Sequence, residues 1–342
     1  MVGVAVVGYG YWGPNHVRTF DSLPGCSVKY ICDSDKDRLA TAKQRHPHLR
    51  ASGDLDTVLA DPEVDAVALI TAAPTHCELT LRCLAAGKHT FVEKPMALTG
   101  ADAEKMVRSA EKNDRILMVG HLLEYHPAVT MLRAYIDEGQ LGDIHYIYTT
   151  RVNLGVVRSE ENALWSLAPH DVSIILYLFG EAPVAVAARG ADYVQQSIED
   201  VVFCTLHFAS GRMAHIHVSW LDPHKIRKVT IVGSKQMAVF DDMQGEEMVK
   251  VYDKGIVGDR EPEGYGQPVT VRTGDIHLPR VKMAEPLKIE DGHFIECVAE
   301  GKTPLSDGWD GLRVIRVLEA ATESLQKGGA TVELAPTQSS VA

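Results

Sequence analysis

Continuous apolar runs, rather than alternating ones, mark the first third of the chain: Val2–Val7, Val28–Cys32, Ala66–Ile70, His89–Glu93 and Ile116–Val119. Strands of this kind belong to a parallel sheet covered on both faces. Helical patterns separate them. Pro14 falls just inside a helix start, where its missing N–H does no harm. Thr75 opens a helix with Cys77, Leu81 and Leu84 on one face and Gly87 at its end, and Thr99 caps another with Met106, Val107 and Ala110 inward. After Met118–His121 the pattern changes. A helix from Pro127 to Ile136 precedes a run, "IHYIYTTRVN", that alternates like a half-buried strand, and a helical stretch spans Asn162–Phe179. Short strands follow at Val184–Ala188, Val201–Phe208, Met213–Trp220, Arg227–Val232, Met237–Phe240 and Met248–Val251, with a hairpin signal at Ser210-Gly211. Trp309–Gln326 closes the series as a helix with Leu312, Ile315 and Leu318 at helical spacing. The expected fold is α/β: a doubly wound domain over 1–121, then an α+β domain over 122–334 with a large, mostly antiparallel open sheet. A disordered tail is expected over 335–342.

Composition narrows the partners. A chain of 342 residues is long enough for two cores, and its net charge of −12 argues against nucleic acid or an anionic membrane as the main ligand. The six cysteines are scattered with no CxxC pair, which points to reduced thiols and to no metal site. The N-terminal apolar run lacks a basic leader, and no later run approaches the roughly 20 residues of a membrane span. A cytoplasmic protein is expected.

The first strand leads into "GYGYWGPNH", with Gly8, Gly10 and Gly13 in G-x-G-x-x-G spacing before a helix. The first glycine makes the turn, the second lets the backbone approach a pyrophosphate, and the third permits close helix–strand packing. The helix N-terminus adds free N–H groups. Tyr11 and Trp12 lie within the same loop. Asp33, at the end of the second strand, suits the hydroxyls of an adenosine ribose and repels a ribose phosphate. This combination predicts a Rossmann dinucleotide-binding domain that takes NAD, with Arg38 leaving NADP as the lesser alternative. The loop after the third apolar run lies at the ligand edge of such a sheet, so Thr71, Pro74 and His76 are further cofactor candidates; His76 reads equally well as an ordinary early-helix polar residue.

"FVEKPMAL" ends the next strand at that same edge. Pro95 keeps Lys94 out of the helical region. There Lys94 either exchanges a proton with a substrate hydroxyl beside the cofactor or forms a surface ion pair with Glu93, and local spacing does not choose.

Seven stretches in order, "GYGYWG", "ICDSDKDR", "GKHTFVEKPMAL", "GHLLEYHPAV", "GDIHYI", "LAPHDVSIIL" and "SWLDPHKIRKVTIVGS", resemble the Gfo/Idh/MocA oxidoreductases. "NLGVVRSEENALWSLAPHDVSI" is most similar to their UDP-N-acetylglucosaminuronate 3-dehydrogenase branch. The resemblance implies that Lys94 is catalytic beside the nicotinamide and that His170 is its partner. It also turns Glu93 from a surface ion-pair partner into a positioning or cofactor-ribose contact. Many relatives carry Asp four residues before the histidine, where this chain has Ser166; Asp171 or Glu124 is then the candidate relay carboxylate. Arg151, Asn153, Arg158 and Asn162 are candidates for a sugar carboxylate or diphosphate, and Tyr125 for the substrate cleft. Trp165 either stacks on the substrate or belongs to the core.

The implied activity is NAD-dependent oxidation of a secondary hydroxyl at C3 of a nucleotide-linked sugar. The alternatives are a sugar 3-ketoreductase of deoxysugar or antibiotic assembly, a free polyol or inositol dehydrogenase, and an NAD-binding sensor without turnover. A homodimer or homotetramer through the second domain's sheet is expected.

Overall fold

The computed structural model describes residues 1–257 and 270–335, so from 336 onward the expected tail lies outside the described residues. The chain divides into two compact units: Met1–Tyr125 with Ala284–Arg316, and the described residues of 126–283 and 317–335.

The first unit holds strands β1 (Val2–Val7), β2 (Cys26–Cys32), β3 (Arg50–Ser52), β4 (Ala66–Leu69), β5 (His89–Glu93) and β6 (Leu117–Gly120). They pair in the order β3-β2-β1-β4-β5-β6, every pair parallel. Helices α1 (Gly13–Ser22), α2 (Lys36–Arg45), α3 (Leu55–Leu59), α4 (His76–Ala85) and α5 (Gly100–Asn113) make the crossovers. The strand order reverses between β1 and β4, and such a switch point opens a ligand crevice at the strands' carboxyl ends. The apolar runs account for five of these strands. Edge strand β3 is Arg-Ala-Ser, two exposed residues and one half-buried, so no hydrophobic run marks it.

Helix α8 (Pro286–Glu300) also belongs to this unit, although the sequence division placed it in the second domain. Its buried side carries Leu287, Phe294 and Ile295 but also Glu290 and Asp291, which breaks the apolar periodicity. Phe294 meets Phe20 and Phe91 edge-on, with ring centroids 6.4 and 5.8 Å apart. Beside them, His16 of α1 is fully buried. Its Nδ1–H donates to Asp291 Oδ1 at 3.0 Å and its Nε2–H to Glu93 Oε1 at 3.1 Å. One imidazole thus ties α1, α8 and the end of β5 together.

The second unit contains α6 (Pro127–Asp137), β7 (Ile144–Val152), α7 (Ala163–Phe179), β8 (Pro183–Ala191), β9 (Val201–Phe208), β10 (Met213–Ser219), β11 (Ile226–Gly233), β12 (Met237–Asp241), β13 (Val249–Val257), β14 (Thr270–His277) and β15 (Val332–Glu333). Helix α9 (Gly308–Gln326) contributes its residues from 317 on. Among the described residues the strands form a nine-stranded sheet in the order β14-β13-β12-β11-β7-β10-β9-β8-β15. β7 and β10 run parallel, and the other pairs are antiparallel. Helix α7 packs on β7, β9 and β10. The Ser210-Gly211 turn joins β9 to β10, with Gly211 at φ +83°. Among its described residues strand β14 has no buried position, so no hydrophobic alternation marks it.

Burial alone would lower the pKa of His16, but the charge and hydrogen bond of Asp291, then those of Glu93, hold it at about 10. Burial lifts Asp291 to about 6 against the pull of His16. At neutral pH the three side chains are therefore an imidazolium between two carboxylates. An unfolded histidine titrates near roughly 6.5, so this stabilisation is complete below about pH 6.5 and is lost as pH rises through the folded value. Urea denaturation of the full chain should show stability falling from about pH 6.5 toward pH 10, with a shallower fall in His16→Gln; equal slopes would mean that the folded chain does not hold this proton.

Candidate functional site

The loop between β1 and α1 is built around backbone contacts that exclude side chains. Gly8 has φ +99°, and a Cβ there would lie 2.4 Å from the Ile70 carbonyl oxygen. A Cβ on Gly13 would lie 2.2 Å from the Gly8 carbonyl oxygen. Around Gly10 the space is open: a Cβ would meet only Arg38 Nη1, at 3.6 Å. Tyr11 and Trp12 are exposed and pack on each other edge-to-face at 6.1 Å. No side chain caps α1, and Pro14 stands in its first turn. Two tight glycines thus shape a cradle whose middle is open and whose helix N-terminus is uncapped, an arrangement that fits a pyrophosphate.

Asp33, at the end of β2, is buried. Its Oδ2 accepts the Tyr9 N–H at 2.6 Å and its Oδ1 accepts the Asp35 N–H at 2.9 Å. These bonds fix the carboxylate and leave acceptor capacity for ribose hydroxyls. Arg38 Nη1 lies 3.9 Å from Asp33 Oδ2 on a half-exposed side chain. The cradle of Gly8, Gly10 and Gly13 thus suits a pyrophosphate, and Asp33 suits the hydroxyls of an adjoining ribose.

His76 is buried at the start of α4, and its ring spans two carbonyls: Nδ1 lies 2.8 Å from Pro95 O and Nε2 lies 3.0 Å from Thr71 O. Burial lowers its pKa against the pull of these carbonyls. The residue thus ties the loop after β4 to the turn after β5. Thr71 is half-buried and accepts from Thr75 Oγ1 at 2.8 Å, while Pro74 is exposed.

Lys94 is half-buried at the carboxyl end of β5, next to a cis Lys94-Pro95 bond. Glu93 Oε2 accepts the Lys94 N–H at 3.0 Å while its Oε1 accepts the His16 Nε2–H at 3.1 Å. Burial would raise the Glu93 carboxyl, but His16 and Lys94 outweigh it and hold the carboxyl below its ordinary value. Behind this turn lies an acidic interior that sequence reading missed. Burial, then the charges of Glu93 and Asp291, push Glu290 well above the carboxylate range. Glu124 is likewise pushed up, by burial and then by Asp310. His121 is buried with Nε2 3.9 Å from Asp310 Oδ2, and burial lowers its pKa. Nothing local in the sequence marks these groups as neighbours, because α8 and α9 bring them from far along the chain. Glu124, a candidate relay carboxylate, is thus an interior group that favours its protonated form.

In the second unit most of the predicted substrate contacts have structural partners. Arg151 is buried on β7 and grips Asp171 through Nε at 2.7 Å and Nη2 at 3.4 Å. Burial raises Asp171 even so. Asn162 caps α7 by accepting the Trp165 N–H at 3.1 Å and donates to Glu199 at 2.7 Å. Trp165 donates from Nε1 to Thr322 at 3.0 Å. In the first unit, the Tyr125 hydroxyl meets Ser306 Oγ at 3.1 Å in a buried pair. Arg158 differs: its side chain is 55% exposed and touches Glu161 at 3.1 Å. Asn153 is half-buried after β7, and its N–H donates to Ser219 O at 3.1 Å. His170 is half-buried on α7, one residue after the internal Pro169. Among the described residues no group of His, Cys, Asp and Glu is arranged to hold a metal ion.

The family model for oxidoreductases with an NAD-binding Rossmann fold matches residues 2–121, and its companion C-terminal alpha/beta domain matches 133–334. The chain is similar to myo-inositol 2-dehydrogenase of Thermotoga maritima, at 27% identity over 335 residues that cover 95% of this chain and 96% of that protein. It is also similar to the NAD(+)-dependent scyllo-inositol 2-dehydrogenase of Bacillus subtilis, at 26% over 340 residues that cover 96% and 95%. Its fold matches UDP-N-acetylglucosamine 3-dehydrogenase GnnA of Acidithiobacillus ferrooxidans with a TM-score of 0.79, at 23% identity and coverage of 96% and 99%. The glycine cradle, the fixed aspartate and the matched extent of both domains agree, and the chain belongs to the Gfo/Idh/MocA oxidoreductase family, with NAD as its cofactor.

Proposed function

We propose that this oxidoreductase oxidises a secondary hydroxyl on a sugar or polyol ring, with Lys94 as the residue that takes the hydroxyl proton. The observation that carries this reading is the fixed position of Lys94 at the carboxyl end of β5, the ligand edge of the cofactor sheet, where Glu93 holds its backbone. Bound NAD supplies the hydride acceptor. Lys94 receives the hydroxyl proton as the carbon–oxygen bond becomes a carbonyl, and His170 is proposed as the second acid/base group. Gly8, Gly10, Gly13 and Asp33 hold the dinucleotide, with Tyr11, Trp12, Thr71 and Pro74 around the loops that receive it. His76 serves the site by joining two of those loops.

For the substrate we favour a nucleotide-linked sugar oxidised at C3, such as UDP-N-acetylglucosaminuronate. Support comes from the exposed Arg158 in the loop before α7, whose guanidinium suits a phosphate or carboxylate. A second reading, a free inositol-like polyol, is favoured by the inositol dehydrogenases among the relatives. It is also favoured by Arg151, which is committed to Asp171. We further propose that a second copy of the chain covers the outer face of the large sheet, where Tyr146, Tyr148, Phe203 and Met213 of β7, β9 and β10 are all about two-fifths exposed.

Nicotinamide absorbance with UDP-N-acetylglucosaminuronate and with myo-inositol tests the activity. Lys94→Ala should lower kcat by about 10²–10⁴ on whichever substrate is used; unchanged turnover would sink the mechanism. Arg158→Ala should raise KM for the UDP-sugar roughly tenfold or more, whereas an enzyme that turns over myo-inositol and ignores this change is a polyol dehydrogenase. Asp33→Ser should weaken NAD binding roughly 10- to 100-fold while relieving the repulsion of NADP; fluorescence titration with both cofactors reads the ratio. Phe203→Asp combined with Tyr148→Asp should leave a monomer in sedimentation velocity, and an unaltered oligomer would place the interface elsewhere.

A further inference from the structure

Strands β8 and β9 pair as far as Ala191 opposite Val201, and two residues would suffice to turn one antiparallel strand into the next. The chain between them instead makes an excursion over 192–200. One buried carboxylate pins it. Asp200 is fully buried; its Oδ2 accepts the N–H groups of Tyr193 and Val194, each at 2.7 Å, and its Oδ1 accepts the Trp220 Nε1–H. Burial would raise its carboxyl, but Trp220 and then the N–H groups of Val194 and Tyr193 hold it below its ordinary value. Hydrogen bonds to an ionised acceptor are roughly twice as strong as neutral ones, so the excursion has a stiff base. An asparagine would serve only one side, because its amide N–H groups would face donors on the other.

The same corner fastens the connection 153–162, which joins β7 to α7 and carries Arg158. At its start, the Asn153 N–H donates to Ser219 O at 3.1 Å and the Gly155 N–H to Trp220 O at 3.3 Å. At its end, Asn162 Nδ2 donates to Glu199 Oε2 at 2.7 Å and the Ala163 N–H to Glu199 O at 2.9 Å. Asp200 joins these anchors, since its carbonyl oxygen accepts from Ser219 Oγ at 3.0 Å and from the Trp220 N–H at 3.2 Å. In the middle of the connection, the Arg158 carbonyl oxygen accepts from Gln195 Nε2 at 3.0 Å. Gln195 belongs to the excursion that Asp200 pins. The backbone of Arg158 is thus held from a neighbouring loop, while its guanidinium stands on a side chain more than half exposed.

We infer that Gln195, on the loop pinned by Asp200, is a positioning residue for Arg158: it fixes the backbone from which the guanidinium meets the anionic group of the substrate. The inference rests on the reading of Arg158 as a phosphate or carboxylate contact, and adds how one exposed arginine can carry specificity. Ordering a free loop at each binding event costs affinity, and a loop ordered beforehand avoids that loss. The effect falls on substrate binding and leaves the hydride and proton steps alone, so it separates KM from kcat.

Steady-state kinetics of the full chain with NAD and UDP-N-acetylglucosaminuronate tests this. Gln195→Ala should raise KM about three- to tenfold, the range expected for one lost hydrogen bond, with kcat within about twofold of the wild type. Asp200→Asn should raise KM at least as far. In the Arg158→Ala background neither change should raise KM further, since both act through that arginine. A loop that served only the fold would lower the melting temperature in Asp200→Asn and leave KM where it was in Gln195→Ala. If Arg158→Ala raises KM and Gln195→Ala does not, the inference is overturned while the substrate reading stands. A rise that persists undiminished without Arg158 overturns it too. If Asp200→Asn does not fold, the Gln195→Ala series decides alone. An enzyme that turns over myo-inositol but not the UDP-sugar, or an unchanged KM in Arg158→Ala, removes the anionic-substrate reading and takes the inference with it.

Discussion

The first unit is organised around a buried imidazolium shared by two carboxylates. His16 sits three residues beyond the last glycine of the cofactor loop, Glu93 sits one residue before Lys94, and Asp291 comes from a helix almost 200 residues later in the chain. An uncompensated buried charge costs several kcal/mol, roughly 3–5 when one partner of a buried pair is removed. The three groups must therefore arrive together. When they do, the helix after the glycine loop, the turn after β5 and the returning helix are set against one another by directional bonds as well as by packing. The aromatic cluster of Phe20, Phe91 and Phe294 supplies the apolar seal that keeps these charges dry.

The two units treat buried charge in different ways. In the first, a cation at His16 and proton-favouring carboxyls at Glu290 and Glu124 limit the net charge of an acidic interior. In the second, Arg151 and Asp171 form a single two-point pair between the sheet and α7. That pair engages both an arginine suited by type to a sugar phosphate and the carboxylate next to His170. The exposed Arg158 is under no such constraint.

Much of the architecture was legible along the chain because parallel strands must be apolar on both faces. Val2–Val7 and His89–Glu93 have the bounds their residues predict, and α7 starts within a residue of its expected position. The glycine loop and Asp33 were legible for a related reason, since each position imposes a steric or electrostatic demand that few residues meet. What escaped was whatever depends on partners distant in sequence. Asp291 lies on a helix whose inward face is partly acidic, so amphipathic reading passed over it. His16 reads as an ordinary helix polar residue until Glu93 is placed opposite it. Conversely, Asn162 and Trp165 have residue types suited to a sugar, yet one is a helix cap and the other a hydrogen-bonded wedge. Residue type reports what a side chain can do, while its neighbours decide what it is already doing.

The return of α8 to the first unit also bears on how the protein is made. Synthesis proceeds from the N-terminus at about 5–20 residues per second, so β1 to β6 leave the ribosome long before the helix that bears Asp291 and Phe294. During that interval the nascent Rossmann sheet has its glycine loop and Lys94 but lacks the cover over Phe20 and Phe91 and one of the two acceptors of His16. The cofactor-binding unit is therefore the first to be translated and among the last to be complete, and its finishing step waits on the whole of 126–283.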